Sequence, residues 1–364
     1  MAEPLLLMTP GPTRVPQRVL DAGARPMIHH RSAEFSRELA TLLELLAPVF
    51  GTTRVPLPVH TTGRGALEAT ICNLFSPGDE MIVCCNGKFG EMWAELAESY
   101  GVIVHRVCTD WSRSVRSDEV DQALRDHPRA RGVTIAHSDT STGVQNDVAS
   151  VLALTRSRGI LGLVDCISSL GGAPFAFDEW GADVVVTASQ KCLMASPGLA
   201  FVAVSERAWT AYESARLTRN YWDFSAVRDS LARSQPETPG TTPVHIVLQV
   251  AESLAMIHEE GLSAVYARHE ASARRARDRA LAMDFGMLFP DLDCWSPTLT
   301  ALRTPAGVSP KHLREGLVRH GILVAEGLGP YSGHCIRIGH MGDIRVSDVD
   351  RTCDAIQAVR AEAR

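Results

Sequence analysis

Lys191 closes the segment Val184-Val185-Val186-Thr187-Ala188-Ser189-Gln190-Lys191, an apolar β-branched run that ends in small polar residues and delivers a single lysine. Earlier in the chain a second apolar run, Ile160-Leu161-Gly162-Leu163-Val164, delivers a single acid, Asp165. Runs of this kind read as buried strands, which puts each group at a strand's C-terminal end. A carboxylate there is costly to bury without a partner. A lysine in a partly buried, electropositive pocket loses proton affinity and becomes available as a nucleophile and base. One lysine that forms a Schiff base and one acid that keeps a pyridine nitrogen protonated are what pyridoxal 5'-phosphate chemistry requires. The pair predicts that cofactor, with Lys191 and Asp165 as catalytic residues.

Other segments extend the site. Thr61-Thr62-Gly63-Arg64-Gly65 stands between a strand-like stretch and a helix. Its glycines let backbone approach a phosphate, the helix start offers free N–H groups, Thr62 adds a hydroxyl donor and Arg64 a charge. An ordinary strand-to-helix turn has the same form, so it is Lys191 and Asp165 that make it a phosphate-cup candidate. Ile167, two residues beyond Asp165, points to the same side of an extended segment and can pack beneath a ring. Arg337 alternates with apolar neighbours in Cys335-Ile336-Arg337-Ile338-Gly339 and needs an anion; the α-carboxylate of a substrate is a natural one. Glu326 stands near the expected substrate entrance.

The elements that must carry these groups alternate. Strand patterns at 55–60, 80–85, 101–107, 132–136, 160–164, 183–187 and 198–204 are separated by helical patterns at 66–74, 89–100, 117–126 and 148–157. Helical spacing is also present at 16–24 and 34–50. This is the βαβ pattern of a mainly parallel, doubly wound sheet, whose ligands bind at the carboxyl ends of the strands. Thr62, Gly63, Arg64, Phe89, Thr140, Asp165 and Lys191 all fall at or just past such ends. From 244 the texture changes to two long helices and then strand and helix patterns at 298–303, 310–319, 321–325, 335–338 and 347–360, a smaller α+β domain. The expected division is an N-terminal arm at 1–15, a large cofactor-binding domain at 16–250 and a small C-terminal domain at 251–364, with the boundary inside a helix at 245–255.

Composition narrows the class. With 45% hydrophobic and 21% charged residues and a formal net charge of −6, the chain reads as a globular α/β protein with no basic stripe for nucleic acid. Nine cysteines without regular spacing argue for reduced thiols and a cytoplasmic protein. Residues 1–10 do not read as a signal peptide, and no apolar run reaches membrane-spanning length. His29, His30 and His137 lack ligand-spaced partners, so no metal is expected.

Taken together, TPGP at 9–12, HRS at 30–32, TGR at 62–64 before ALEA at 66–69, NGKFG at 86–90, HSDTSTGV at 137–144, VDCISSLGG at 164–172, SQK at 189–191 and GLGPYSGHCIRIG at 327–339 resemble the alanine–glyoxylate / serine–pyruvate aminotransferases, class V of the fold type I pyridoxal phosphate enzymes. The resemblance implies a Schiff base on Lys191, Asp165 at the pyridine nitrogen and Phe89 stacked on the ring. It also implies Thr140 beside the ring, Ile167 on its other face, and a phosphate cup of Thr62, Gly63, Arg64 and Gln190. Thr238 and Thr241 complete that cup from the neighbouring subunit of a homodimer, whose active site lies at the subunit interface. The family has a tyrosine where Thr238 stands and a small or imidazole side chain at Arg64. The implied activity moves an amino group from a small amino acid to a 2-oxo acid such as glyoxylate or pyruvate, with Arg337 holding the carboxylate. VSERAW at 204–209, RTPAGV at 303–308 and RIGHM at 337–341 are similar to pyridoxamine–pyruvate aminotransferase, an alternative beside the ureidoglycine–glyoxylate type. A desulfurase or lyase on the same fold, with Cys335 as the reactive thiol, and a non-catalytic cofactor-binding regulator are the remaining readings.

Overall fold

The computed structural model describes residues 4–289 and 294–362; residues 1–3 of the expected arm and 363–364 of the expected C-terminal domain lie outside them. Its strands are β1 (Leu6–Met8), β2 (Leu57–Val59), β3 (Glu80–Cys85), β4 (Ile103–Cys108), β5 (Ala130–Ala136), β6 (Leu161–Asp165), β7 (Val184–Ala188), β8 (Ala200–Val204), β9 (Gly286–Met287), β10 (Leu299–Arg303), β11 (Ile322–Glu326) and β12 (Cys335–Gly339). They make a seven-stranded sheet of order β2-β8-β7-β6-β5-β3-β4 and a five-stranded sheet of order β1-β11-β12-β10-β9.

Strands β3 to β7 pair in parallel, whereas β8 runs antiparallel to both β7 and β2. The reversal has a local cause. No helix intervenes between β7 and β8, and without a crossover the chain can only turn back beside the strand it has left. That return loop carries Lys191.

Successive residues of the central strands enter different cores. Leu163, Val184 and Val186 pack on one face with Ala66, Leu67 and Ile71 of the helix Gly63–Leu74. Val164 and Val185 pack on the other with Leu39, Leu42 and Leu46 of the helix Ala33–Phe50. Both faces are covered, which is why the strands read as continuous apolar runs rather than alternating ones.

Two features were not foreseen. The apolar arm forms β1, pairing in parallel with β11 and burying Leu6 and Met8 against Ile322 and Ile338. Two short helices, Glu206–Ser214 and Phe224–Leu231, fill the stretch after β8. Their apolar stripes are short, and the local signal is their caps: Ser205 accepts from the Ala208 N–H, and Asp223 from the Ser225 N–H. The expected boundary at 245–255 falls within the helix Val244–Glu260. No described helix is long and apolar enough to cross a membrane.

Candidate active site

The loop after β7 is fixed before it delivers Lys191. The Ser253 hydroxyl donates to the Leu193 carbonyl at 2.6 Å, and the Gln249 side chain accepts from the Ser196 N–H at 3.0 Å, so the helix Val244–Glu260 props the loop from below. From above, the Thr13 N–H donates to the Gln190 carbonyl at 3.0 Å, and the Thr13 hydroxyl to the Lys191 carbonyl at 3.1 Å. The Lys191 amine donates to the Pro10 carbonyl. Gly11 sits against it at φ +109°, where a Cβ would lie 2.5 Å from the lysine Cδ; only glycine leaves the lysine its path. Lys191 keeps a narrow opening to solvent, yet its surround is mostly protein. That burial lowers its pKa to about 8, a fall opposed by Cys192 and Asp165 and assisted by Arg337.

Asp165 ends β6 and is 5% exposed. One of its oxygens accepts the Ile167 N–H at 2.7 Å. Burial raises its pKa to about 7; the Ile167 N–H and Lys191 pull it back and Asp139 pushes it further up. Ile167 packs directly over Gly63, where a Cβ would meet the isoleucine Cδ1 at 2.5 Å, so the Asp165 segment and the phosphate turn are in contact. Thr62 is the N-cap residue of the helix Gly63–Leu74, yet its side chain makes no capping bond. Arg64 is exposed and has no carboxylate partner among the described residues. The Gln190 Oε1 is buried without a partner. Free donors at a helix start, an unclaimed guanidinium, an amine and a buried acid fit pyridoxal phosphate, whose phosphate, aldehyde and ring nitrogen each find a group of the matching kind.

Phe89 is half-buried at the start of the helix Lys88–Ser99. Its N–H donates to Asp139 at 3.1 Å, as does that of Ser141 at 2.8 Å, while the Ser141 hydroxyl accepts from the Lys88 N–H at 2.9 Å. Asp139 is fully buried, and burial raises its pKa against these hydrogen bonds. This acid was not singled out from the sequence, although it lies inside HSDTSTGV; it ties the Phe89 loop to the Thr140 loop. The Thr140 hydroxyl bonds Ser168, two residues before Leu170 of the same VDCISSLGG segment.

Arg337 is 8% exposed. Its Nε donates to the Glu326 carbonyl and one terminal nitrogen to the Thr140 carbonyl, each at 2.7 Å. Among the described residues no carboxylate lies within ion-pair distance of it. Burial lowers its pKa, as expected for a cation awaiting an anion. The Glu326 side chain, by contrast, pairs with Arg314 at 2.8 Å, so its charge is already taken.

Among the described residues, no hydrogen bond ties Thr238 or Thr241 to this cluster. The Thr238 hydroxyl is buried and bonded to the Gly240 carbonyl at 3.1 Å and to Thr242, while Thr241 is exposed. Cys335 is buried, and burial raises its thiol to about 11, so it is not poised as a thiolate nucleophile. His137 is enclosed and bonded to Ser169 at 3.0 Å. Away from the site, the structure gathers two groups that the sequence did not reveal, Glu80 with His105 and His127, and Cys85 with Glu91 and Cys108. In each, the candidate ligand atoms lie within 4.8 Å of one another.

Residues 5–351 match the family model described as aminotransferase class-V. A relative from Synechococcus sp. named "Soluble hydrogenase, small subunit" is 37% identical, the match covering 100% of this chain and 94% of that protein. The L-aspartate–glyoxylate aminotransferase of Paracoccus denitrificans is 35% identical over 93% of this chain and 86% of its own. Among solved structures, the ureidoglycine–glyoxylate aminotransferase of Bacillus subtilis superposes with a TM-score of 0.94 at 27% identity, covering 100% of this chain and 94% of that one.

Proposed function

The chain belongs to the class-V aminotransferase family, and from that premise we propose that it moves the amino group of a small monocarboxylic amino acid, of the alanine or serine type, to a short 2-oxo acid such as glyoxylate or pyruvate. It is a pyridoxal 5'-phosphate-dependent transaminase of fold type I. The name of the Synechococcus relative is that protein's own; the residues gathered here are suited to amino-group transfer.

The observation that carries the substrate reading is Arg337, buried and held by two backbone carbonyls, with donors left for one carboxylate. A dicarboxylic donor calls for a second guanidinium, and the neighbouring Arg314 is occupied by Glu326. Lys191 and Asp165 are read as the catalytic pair. Thr62, Gly63, Arg64 and Gln190 are read as the cup for the phosphate, which favours a held cofactor over a free, unphosphorylated pyridoxamine substrate. Phe89, Thr140 and Ile167 are read as the residues enclosing the ring.

When bound, the cofactor supplies a ring that takes up the electron pair released at the substrate α-carbon. Arg337 fixes the substrate carboxylate and with it the direction of the α-carbon. The Lys191 Nζ, its proton affinity brought close to neutrality, removes the donor's α-proton and in the second half-reaction delivers one to the α-carbon of the new amino acid. The Pro10 carbonyl accepts from that nitrogen and keeps it aimed. Asp165 holds a proton-bearing ring nitrogen.

We read the arm (1–15), large domain (16–250) and small domain (251–364) as the working units of a cytoplasmic homodimer, with the 237–243 loop of one copy completing the phosphate cup of the other. The nine cysteines, scattered without regular spacing, support a reducing compartment. An open apolar groove lined by Leu43, Ala47, Pro48, Val55, Leu57 and Leu231 supports a buried subunit contact. A light-scattering mass of one chain would contradict the dimer.

The activity is tested by titrating holoenzyme with a panel of amino acids. L-alanine or L-serine is expected to bleach the visible absorbance of the bound cofactor and release one 2-oxo acid, and glyoxylate to restore the absorbance. Sulfide release from cysteine, with no bleaching by any other amino acid, would replace this reading with the desulfurase one.

A further inference from the structure

Trp93 lies four residues beyond Phe89 on the helix Lys88–Ser99, one turn along the same face. It is 1% exposed, and its indole N–H is buried without an acceptor at hydrogen-bond distance. A buried donor in that condition costs stability, which a phenylalanine or leucine would avoid. Its surroundings are otherwise apolar: Met81, Val83, Leu163, Ile167 and Val186 belong to the same packed cluster. Leu163 is the alternate neighbour of Asp165 along β6, so the carboxylate points to the side of the sheet that Trp93 covers, where Ile167 of the following turn also packs. The carboxylate has one donor on Oδ1, the Ile167 N–H. A donor without an acceptor thus lies on the same side as an acid with acceptor capacity to spare.

We propose that Trp93 is a positioning residue for Asp165, its indole N–H orienting the carboxylate and stabilising its ionised form so that the acid can face the cofactor's ring nitrogen. In the structure the contact stops short of a full hydrogen bond, yet the indole already pulls the acid's proton affinity down, against burial and Asp139 and alongside the Ile167 N–H and Lys191. Cys166, the adjoining titratable group, is held protonated by burial and Asp165. Ionisation of Asp165 converts a marginal contact into a charge-assisted N–H···O⁻ bond, the stronger kind. The acid is then fixed at two points, one from its own strand segment and one from the helix that also carries Phe89.

The test reads the acid itself in cofactor-free protein. The indole ¹⁵N–H resonance of Trp93 is expected to shift across the titration of Asp165 and to stay flat in Asp165→Asn; a resonance indifferent to pH in the native protein overturns the proposal. Trp93→Phe removes the N–H and keeps a ring. It should raise the Asp165 carboxyl's proton affinity roughly tenfold, as read from its infrared carbonyl band. The apparent pKa on the acidic limb of kcat should rise with it. Leu163→Ala opens a void in the same cluster but keeps the N–H. It should lower the melting temperature without moving that titration. Equal movement in both variants would mean packing alone, and the proposal would fall.

Discussion

Arg337 shows how much a single side chain decides. A guanidinium that has left water is stable when its N–H groups are all received, and here two carbonyls receive part of the fork while no described carboxylate receives the rest. Lysine cannot reproduce that arrangement, since a point charge cannot reach both carbonyls and grip a carboxylate in its plane. Arg337→Lys is therefore expected to lower kcat/KM for the amino donor roughly tenfold to a hundredfold, chiefly through KM. Steady-state kinetics with alanine and glyoxylate measure it, and an unchanged KM would place the carboxylate elsewhere. Lys191, Asp165 and Arg337 were singled out in the sequence because Arg337 interrupts an apolar strand, Asp165 ends one and Lys191 closely follows one. Asp139 and Trp93 were not. Asp139 is one of several polar residues in its segment, and its partner Phe89 lies 50 positions away. The indole of Trp93 looks like any core aromatic until the acid beside it is located.

Among the elements, the loops count for more than the strands. The helix Lys88–Ser99 begins at Gly87, whose extended backbone leaves no room for a Cβ against the Asp139 carboxylate. Asp139 thus caps that helix from another strand's loop, a job usually done by the N-cap side chain. The Phe89 and Ser141 N–H groups go to different oxygens of Asp139, so Asp139→Asn turns an amide nitrogen toward one of them. It should destabilise the protein by about 1–3 kcal/mol and weaken cofactor binding. Thermal melts of the apoprotein and a cofactor titration check this; a variant matching wild type in both would show that another contact holds the Phe89 loop. The strand and helix pattern was legible over most of the chain because buried parallel strands and amphipathic helices carry their periods locally. The docking of β1 was not, since it depends on β11, far along the chain, lying beside it.

Across the whole molecule, buried titratable groups are a source of pH dependence. Asp165 is raised by burial from its ordinary value to about 7, so the folded apoprotein binds more protons than the unfolded chain from about pH 4 to 7. Stability from this acid is present at low pH and is lost as pH rises through 7, on the order of 4 kcal/mol in total. His137 and His269 act oppositely. Burial lowers both to about 4, so their neutral forms favour the fold above pH 6.5, and that advantage is lost as pH falls toward 4. Comparing apoprotein melts of Asp165→Asn and wild type isolates the acid: the variant's relative stability should grow from pH 4 to 7, and a constant difference would show that Asp165 is not desolvated. By itself the sequence determined the alternation of strands and helices, the cofactor chemistry and the residues at the strand ends, because burial period and isolated polar groups are written in adjacent positions. Only the tertiary structure decided what those groups lack and who supplies it. The carbonyl of Thr140 meets Arg337 across 197 positions, Pro10 reaches Lys191 across 181, and proton affinities follow from burial that no local stretch of chain defines.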